Sequence, residues 1–256
     1  MKRILAGMRG SRYIRRSSEW CDMNTKKTAV ILCGGLGTRL KPFTDAIPKP
    51  LLPVGEKAVL EIQIERLRSN GFERIVLATN YKADYIEKFL GDGSDYGVEL
   101  VYSKEKEALG TAGPLSLCRD LLTSPFLVMN GDILSLVDYG DMYNKACSSM
   151  AKLTVGIKKM TMPFSFGNIF FDGDRVTGIE EKPDITTYAL AGIYVMTPEI
   201  LSYIPDNTYY GMDTLINDML AADDKIVKYE IESYWLDIGR VDDYERAQRD
   251  HERFNV

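Results

Sequence analysis

The stretch TAVILCGGLGTRLKPFTDAIPKPLLPV, residues 28–54, constrains this chain more than any other part of it. It opens with a short apolar run, residues 29–33, whose β-branched members predict a buried parallel strand. Gly34, Gly35 and Gly37 follow at once, and without side chains they let the backbone turn sharply and approach a ligand closely. Successive backbone N–H groups in such a turn form a concave anion site.

Cations follow this turn at fixed positions. Arg39, Lys41 and Lys49 lie in a loop that several prolines stiffen. The strand, the glycine turn and the cationic loop together predict a binding site for a polyphosphate. Two common phosphate motifs do not fit, because a dinucleotide fingerprint needs a third glycine where Leu40 stands, and a P-loop needs Gly-Lys where the chain has Gly37-Thr38.

Composition limits the classes of partner. The 256 residues are 45% hydrophobic and 27% charged, with a net charge of -5, so the chain can bury a core and has no general basic surface. An acidic chain with local cations favours a small anionic ligand and argues against nucleic acid. No apolar run is long enough to cross a membrane, so no membrane partner is expected. The only histidine, His251, lies in a charged run near the C-terminus, where a catalytic role is not expected.

The four cysteines, at positions 21, 33, 118 and 147, are scattered and form no C-x-x-C pair. This spacing predicts reduced thiols in a cytoplasmic protein. Residues 1–27 are rich in Lys and Arg and lack the apolar run of a secretory signal. They are interpreted as a basic, weakly ordered extension, and residues 28–256 as a single domain.

Strand and helix patterns alternate from residue 28 to residue 130. Strands are predicted over residues 29–33, 74–79, 98–103 and 125–130, and helices over 56–70, 82–90 and 112–122. Such alternation predicts an α/β fold with a mixed, mainly parallel sheet covered on both faces, a Rossmann-like three-layer sandwich. From residue 152 the strands look antiparallel and predict a smaller lobe that forms the second wall of a cleft.

Five stretches in a fixed order resemble the sugar-1-phosphate nucleotidylyltransferases. They are G-G-x-G-T-R-L with K-P-L at 34–40 and 49–51, L-G-T-A-G-P-L at 109–115, N-G-D at 130–132, G-I-E-E-K-P at 178–183 and Y-W-L-D-I-G at 234–239. Each of the shorter motifs alone would be more typical of an ordinary turn or helix start. Their number and order carry the resemblance, which covers residues 28–246.

The resemblance implies a role for each motif. Arg39, Lys49 and Asp132 are implied to be catalytic, and Mg²⁺ is the implied cofactor, held by Asp132 and Asp237. The residues implied to bind the nucleotide are Leu32, Gly34, Gly35, Gly37, Thr38, Arg39, Lys49, Leu109, Gly110 and Thr111. Those implied to bind the sugar phosphate are Gly131, Gly167, Glu181, Lys182 and Gly192. Most of the last group lies in the antiparallel lobe, which the resemblance therefore makes the sugar-binding lobe.

The stretch E-A-L-G-T-A-G-P-L at 107–115 resembles the GDP-mannose pyrophosphorylases in particular. This implies GTP and mannose 1-phosphate, or a related hexose or heptose 1-phosphate, as substrates. UTP, dTTP and CTP stay open, as does a homo-oligomer. The chain departs from the family pattern at one position of the sugar site. Leu190 stands where the family often has an asparagine that contacts the sugar, and a leucine cannot make the hydrogen bonds of an amide.

Two other classes stay open. A glycosyltransferase of similar fold would use a D-x-D metal motif, whereas this chain has Gly131-Asp132 and a cradle for a full triphosphate. A catalytically silent, nucleotide-sugar-binding regulatory homologue would be expected to lose Arg39, Lys49 or an aspartate, and all of them are present.

Overall fold

A computed structural model describes residues 26–254 of the chain. The strands are β1 (Thr28–Leu32), β2 (Pro53–Val54), β3 (Lys57–Ala58), β4 (Arg74–Thr79), β5 (Glu99–Lys104), β6 (Phe126–Asn130), β7 (Ile133–Ser135), β8 (Leu153–Pro163), β9 (Asn168–Asp172), β10 (Arg175–Glu180), β11 (Asp184–Met196), β12 (Ile226–Glu230) and β13 (Trp235–Asp237). The α-helices are α1 (Phe43–Ala46), α2 (Val59–Ser69), α3 (Ala83–Leu90), α4 (Tyr139–Ser149), α5 (Met212–Ala221) and α6 (Val241–Arg249). The longer 3-10 helices span Gly113–Leu121 and Pro198–Tyr203.

A seven-stranded sheet forms the centre, with strand order β12-β8-β11-β6-β1-β4-β5. The neighbours β6-β1-β4-β5 are all parallel, β12 is parallel to β8, and β11 runs antiparallel to both β6 and β8. The parallel strands end at one edge of the sheet, so the residues that follow β1 and β6 lie side by side. The predicted mixed, mainly parallel sheet is confirmed.

The sheet is covered on both faces, because successive residues of its central strands point to opposite sides. On one face Ala29 and Ile31 of β1 pack with α2, α3 and α4. On the other face Val30 packs with α5 and with the 3-10 helices at Gly113–Leu121 and Pro198–Tyr203. The result is the three-layer α/β sandwich that the sequence predicts.

The antiparallel half of the chain is arranged differently from the prediction. The inner parts of β8 and β11 pair with β12 and β6, whereas residues 158–190 extend beyond these neighbours, because the outer parts of β8 and β11 pair only with each other. These residues, named the outer arm, comprise the outer halves of β8 and β11 and the β9–β10 hairpin. A register shift between Leu190 and Tyr194 separates the part of β11 that also pairs with β6 from the part that pairs only with β8.

Two elements near the N-G-D motif were not predicted. Strand β7 is only three residues long and pairs with β13, a partner far away in sequence. Helix α4 buries Tyr139, Met142, Tyr143 and Ala146, which are spaced as on one helix face, but its glycine and its several Asp, Asn and Ser residues are weak helix formers.

The predicted helix at 112–122 is a 3-10 helix, in which the Ser116 hydroxyl donates to the Gly113 carbonyl and competes with main-chain bonding.

The cysteine prediction is wrong for one residue. Cys33 and Cys118 are free and buried, as expected of structural thiols, and burial raises the pKa of both. Cys147, on α4, is disulfide-bonded. Sequence spacing could not show this, because a disulfide depends on the distance between two Cα atoms in the folded chain. The cytoplasmic location, which rested partly on four thiols, stays a prediction.

The predicted N-terminal extension falls mainly on residues 1–25, which lie outside the described part of the chain. Lys27 is within it, and its carbonyl accepts from the backbone N–H groups of Glu73 and Arg74 beside β4. Between residues 26 and 254, no helix is both long enough and apolar enough to cross a membrane.

Candidate active site

The glycine turn after β1 opens one wall of a cavity of about 380 Å³ at the edge where the parallel strands end. The loop after β6 forms the opposite wall. Nine of the residues that the sequence singled out line this cavity: Leu32, Gly34, Gly35, Gly37, Thr38, Arg39, Lys49, Gly131 and Asp132. Folding therefore brings together three separate stretches, residues 32–39, Lys49 and residues 131–132, in one small space.

Two glycines shape these walls, and the second holds them close together. Gly37 has φ +63, and its carbonyl accepts the hydroxyl of Thr44 at 2.9 Å, which fixes the turn against α1. The backbone N–H of Gly131 donates to the Leu32 carbonyl at 2.9 Å. A Cβ at position 131 would lie 2.8 Å from that same carbonyl oxygen. A side chain there would push the two loops apart.

Gly131→Ala is expected to destabilise the fold by about 1–3 kcal/mol, the usual cost of overpacking against backbone that cannot move freely. The matched control is Gly35→Ala, because a Cβ at position 35 would meet no atom within 4 Å. That change should alter stability by less than about 0.5 kcal/mol. Urea unfolding of the two variants measures the difference, and equal stabilities would contradict the close approach of the two loops.

Lys49 and Asp132 form the central charged contact of the cavity. The Nζ of Lys49 lies 2.5 Å from Oδ2 of Asp132, and the two side chains are mostly buried, with exposed fractions of 11% and 25%. Lys49 begins a short 3-10 turn, Lys49–Leu51, that follows Pro48. The cation is thus held by a stiff segment and not by a free loop end.

Asp237 joins this pair through the small β7–β13 sheet. Asp237 is paired with Ile133, the residue after Asp132, and the backbone N–H of Ile238 donates to the Asp132 carbonyl at 2.9 Å. A third apolar cluster, which includes Leu134, Leu236 and Ile238, packs beneath these strands. The two aspartates are therefore fixed next to each other by packing that the motifs alone do not reveal.

One oxygen of the Asp237 carboxyl lacks a hydrogen-bond partner among the described residues. Its Oδ1 is buried and makes no hydrogen bond to any residue between 26 and 254. Burial raises the pKa of Asp237, and the negative charge of Asp132 adds to the rise, whereas Lys49 and Arg39 act in the opposite direction. A buried carboxylate oxygen without a partner is costly unless a ligand or ion supplies the missing contact.

These two carboxylates fit a magnesium site. Mg²⁺ is commonly bound by one or two carboxylates together with phosphates of the substrate. The orphaned oxygen of Asp237 next to Asp132 offers such a pair beside the predicted polyphosphate cradle. Among the described residues, no group of three or more His, Cys, Asp and Glu side chains could hold a metal by itself, so substrate oxygens would have to complete the coordination.

The L-G-T-A-G motif lies beside the glycine turn and is locked to a distant loop. Gly110 has φ +81, and a Cβ there would meet the Tyr210 carbonyl at 2.7 Å. Tyr210 donates its N–H to the carbonyl of Leu109, which is buried, and the Thr111 hydroxyl accepts the N–H of Met212 at 2.8 Å. The Thr111 hydroxyl thus has a structural partner, while its role in nucleotide binding stays a prediction.

Glu105 is a side chain that the sequence analysis did not single out. One of its carboxylate oxygens accepts the N–H of Leu109 at 3.0 Å, and the other would lie 2.9 Å from a Cβ at Gly34. The carboxyl is half-buried, and this burial raises its pKa. An acid between two ligand motifs, four residues before Leu109, was a signal available in the sequence.

Gln63 is a second missed residue. It lies on the buried side of α2, and its amide nitrogen donates to the carbonyls of Asn130 and Ile133 at 3.0 and 2.7 Å. These two bonds span the turn that carries Asp132. A polar residue between Ile62 and Ile64 is the only sequence signal of this role.

The residues predicted to bind the sugar phosphate are divided between two places. Gly131 lines the cavity, and Gly192, with φ +65, lies against the side chain of Asn130. Gly167 lies on the outer arm next to Glu181, whose Oε2 would be 3.2 Å from a Cβ at position 167. Glu181 and Lys182 are exposed and do not line the cavity. Their predicted contact with sugar phosphate therefore stays a prediction.

Comparison with known proteins assigns the chain to a family. The family model described as nucleotidyl transferase matches residues 28–253. The chain belongs to the nucleotidyl transferase family. A mannose-1-phosphate guanyltransferase of Schizosaccharomyces pombe is 33% identical to this chain over 225 residues. That match covers 84% of this chain and 62% of the relative, so the chain spans about three-fifths of the length of the curated relatives it matches.

Solved structures share the fold of this chain. HddC from Yersinia pseudotuberculosis, in a crystal structure with GMP-PN, is 27% identical with a TM-score of 0.69, covering 88% of this chain and 99% of HddC. UDP-glucose pyrophosphorylase with UDP-glucose has a TM-score of 0.68 at 20% identity, covering 90% of this chain and 99% of that one, a likeness of fold alone.

Proposed function

We propose that this protein transfers a nucleoside monophosphate from a nucleoside triphosphate to a sugar 1-phosphate and releases pyrophosphate. The preferred substrates are GTP and mannose 1-phosphate or a related hexose or heptose 1-phosphate. The observation that carries the proposal is the meeting of the glycine turn, Lys49 and Asp132 at one cavity, with Asp237 held directly behind Asp132. The mannose-1-phosphate guanyltransferase relative and the HddC complex with GMP-PN support the choice of guanine.

The chemistry follows from the charges of the reactants. A sugar 1-phosphate is mostly dianionic near neutral pH, because the second pKa of a phosphate monoester is about 6. Its oxygen can attack the α-phosphorus without a general base, and the bond from that phosphorus to the bridging oxygen breaks as pyrophosphate leaves. His251, the only histidine, is consistent with this scheme, since it packs against Gly55 and does not line the cavity.

The main obstacle is repulsion between two anions, which positioning and charge neutralisation overcome. In this proposal Arg39 binds the leaving pyrophosphate and Lys49 contacts the α-phosphate where negative charge develops. Lys182 holds the incoming sugar phosphate. Mg²⁺ bound by Asp132 and Asp237 would neutralise charge on the nucleotide oxygens. Backbone N–H groups of the glycine turn bind the triphosphate.

Glu105 supports GTP as the nucleotide. A carboxylate only accepts hydrogen bonds, and guanine presents two adjacent donors, N1–H and the N2 amino group. Uracil and thymine present a single N–H between two carbonyl acceptors, which a carboxylate would repel. Glu105 lies between the glycine turn and the L-G-T-A-G motif, the two elements proposed to hold the nucleotide. UTP, dTTP and CTP are the alternatives against which this assignment is tested.

Glu105→Gln is expected to lower kcat/KM for GTP by about 10- to 100-fold, since one good bidentate base contact discriminates by about 1–3 kcal/mol. The kcat/KM for UTP should fall much less than that for GTP, or should rise. The amide oxygen can still accept the N–H of Leu109, so folding should persist. Glu107→Gln, an exposed acid two residues on, is the matched control. An equal loss with both nucleotides would contradict the base assignment.

Stability of the same variant should depend on pH. Burial raises the pKa of Glu105 in the folded state, so the folded protein without ligand loses stability as the pH rises from the ordinary pKa of a glutamate to this raised value. Glu105→Gln should therefore be at least as stable as the unsubstituted protein at pH 7. The difference should vanish at a pH below the ordinary range of a glutamate, which thermal melting across pH can measure.

Lys182→Ala is expected to raise KM for the sugar 1-phosphate by about tenfold or more while the KM for nucleotide changes little, because a charge-assisted contact to phosphate is lost. Lys159→Ala, an exposed lysine on the same arm, is the control. Steady-state kinetics with each substrate varied in turn measures the split. A selective rise in the KM for nucleotide would contradict the role given to Lys182.

An isotope experiment tests the transfer itself. With GTP labelled at the α-phosphorus, the label should appear in a nucleotide sugar, and with label at the γ-phosphorus it should appear in pyrophosphate. The alternative is a catalytically silent protein that binds nucleotide sugars. Binding of GDP-mannose without transfer of either label would favour that alternative and overturn the proposal.

A further inference from the structure

One buried amide holds the turn that carries Asp132. Gln63 lies on the buried side of α2 and is only 2% exposed. Its Nε2 donates to the carbonyl of Asn130 at 3.0 Å and to the carbonyl of Ile133 at 2.7 Å. These two carbonyls stand immediately before and immediately after the Gly131-Asp132 pair. The nitrogen end of the amide must face them, because a carbonyl oxygen accepts hydrogen bonds and cannot donate them.

The other end of the same amide has no such partner. The Oε1 of Gln63 is buried and makes no hydrogen bond to any residue between 26 and 254. Burial of an unpaired carbonyl oxygen costs stability. A side chain without polar atoms would avoid that cost, so the advantage of a glutamine here lies in the two bonds that its nitrogen makes.

The helix presents this amide from a rigid position between two apolar clusters. Ile64 packs in the cluster beneath the central sheet, which also contains Ile133. Ile62 packs with Leu134 in the cluster beneath β7 and β13. Because α2 is packed on both sides of Gln63, the amide has little freedom to follow a movement of the turn.

Other hydrogen bonds hold the middle of the turn. The N–H of Gly131 donates to the Leu32 carbonyl, and the Asp132 carbonyl accepts the N–H of Ile238, each at 2.9 Å. Gln63 holds the carbonyls on either side of this pair, and within residues 26–254 it is the only side chain that bonds to the main chain of residues 130–133. The path of the turn therefore depends on one side chain from a distant helix.

We infer that Gln63 is a positioning residue, which aims the carboxylate of Asp132 at a divalent metal and touches neither the metal nor the substrate itself. The inference rests on the proposed function, in which Asp132 holds Mg²⁺. The direction of a short side chain such as aspartate follows from its backbone, and Mg²⁺ demands near-ideal octahedral geometry. Loss of a side chain that orients a metal ligand typically costs 10- to 100-fold in metal affinity or activity.

GTP binding with and without metal tests this role apart from turnover. Gln63→Met removes both donors at nearly constant size. Calorimetry in excess Mg²⁺ and in EDTA gives two Kd values, and their ratio is the gain in nucleotide affinity that the metal supplies. This gain should fall about tenfold in Gln63→Met, while the Kd in EDTA changes less than about twofold. Hydrogen exchange of the Gly131 and Ile238 amides should also become faster in that variant.

Arg66→Met is the matched control on the same helix. The Nη2 of Arg66 donates to the Val137 carbonyl at 2.9 Å, beyond the end of β7. Its loss should lower stability to a similar extent and leave the metal-dependent gain unchanged. Gln63→Glu is a second variant of the same length, and it has at most one O–H to donate, so its gain should be intermediate. Asp132→Asn should abolish the gain and sets the size of the full effect.

Each outcome separates this inference from the proposed function. An unchanged gain in Gln63→Met, or an equal fall in Arg66→Met, would overturn the positioning role and leave the metal assignment intact. The absence of any gain in the unsubstituted protein, or a full gain in Asp132→Asn, would remove the metal from Asp132. That result would overturn this inference together with the metal part of the proposed function.

Discussion

Asp132→Asn is expected to lower kcat by at least about 10³-fold and to leave the fold intact. Loss of a single group that stabilises charge in a transition state typically costs 10²- to 10³-fold, and Asp132 would hold both the metal and the orientation of Lys49. The side chain contacts Lys49, whereas the bond that joins β7 and β13 uses the backbone carbonyl of Asp132, which the variant keeps.

The rate of pyrophosphate formation and the urea unfolding midpoint measure these two expectations together. Asp120→Asn removes an exposed carboxylate outside the cavity and serves as the control. Near-normal turnover of Asp132→Asn in Mg²⁺ would refute the metal assignment. A large loss of stability would show instead that the aspartate serves the fold.

Lys49→Met is expected to lower kcat by about 10²- to 10³-fold with a smaller effect on nucleotide binding. The methionine keeps much of the aliphatic length but cannot donate to phosphate oxygens where negative charge accumulates in the transition state. Lys49 is mostly buried on a stiff turn and points at Asp132, so no other conformation of the loop easily restores the charge.

Lys41→Met is the matched control for this lysine. Lys41 belongs to the same loop, but it is exposed and forms an ion pair with Asp45 at 2.9 Å. Its loss should change kcat less than about twofold, as for most exposed ion pairs. If both lysine variants lost activity equally, general loop charge and not a positioned Lys49 would explain the effect.

The central sheet and most residues of the cavity wall could be predicted from the sequence, because both follow from local residue patterns. A buried strand followed by bare glycines and spaced cations has few ways to fold, and β1 and the turn after it lie where the pattern placed them. The N-G-D motif follows β6, the parallel neighbour of β1, so Asp132 lies opposite the glycine turn.

The features that could not be predicted from the sequence depend on contacts between distant parts of the chain. The pairing of β7 with β13 fixes Asp237 beside Asp132, although three-residue strands leave almost no periodic signal. The register shift between Leu190 and Tyr194 separates the outer arm from the part of β11 that also pairs with β6, and nothing in the local pattern marks that point. Gln63 acts through a hydrogen bond to a residue 70 positions away, so its residue type alone did not reveal its position. Glu105 lies only four residues before the Leu109 N–H that it accepts, and its closeness to Gly34 is the part that only the fold shows.

The most direct measurement of the central claim is pyrophosphate release in Mg²⁺, with GTP, UTP, dTTP and CTP each tested against a panel of sugar 1-phosphates. Nucleotidyl transfer predicts release only when both substrates are present, fastest with GTP and with mannose 1-phosphate or a related hexose or heptose 1-phosphate. Release without sugar phosphate, or none with any pair despite binding of nucleotide, would contradict the proposed reaction.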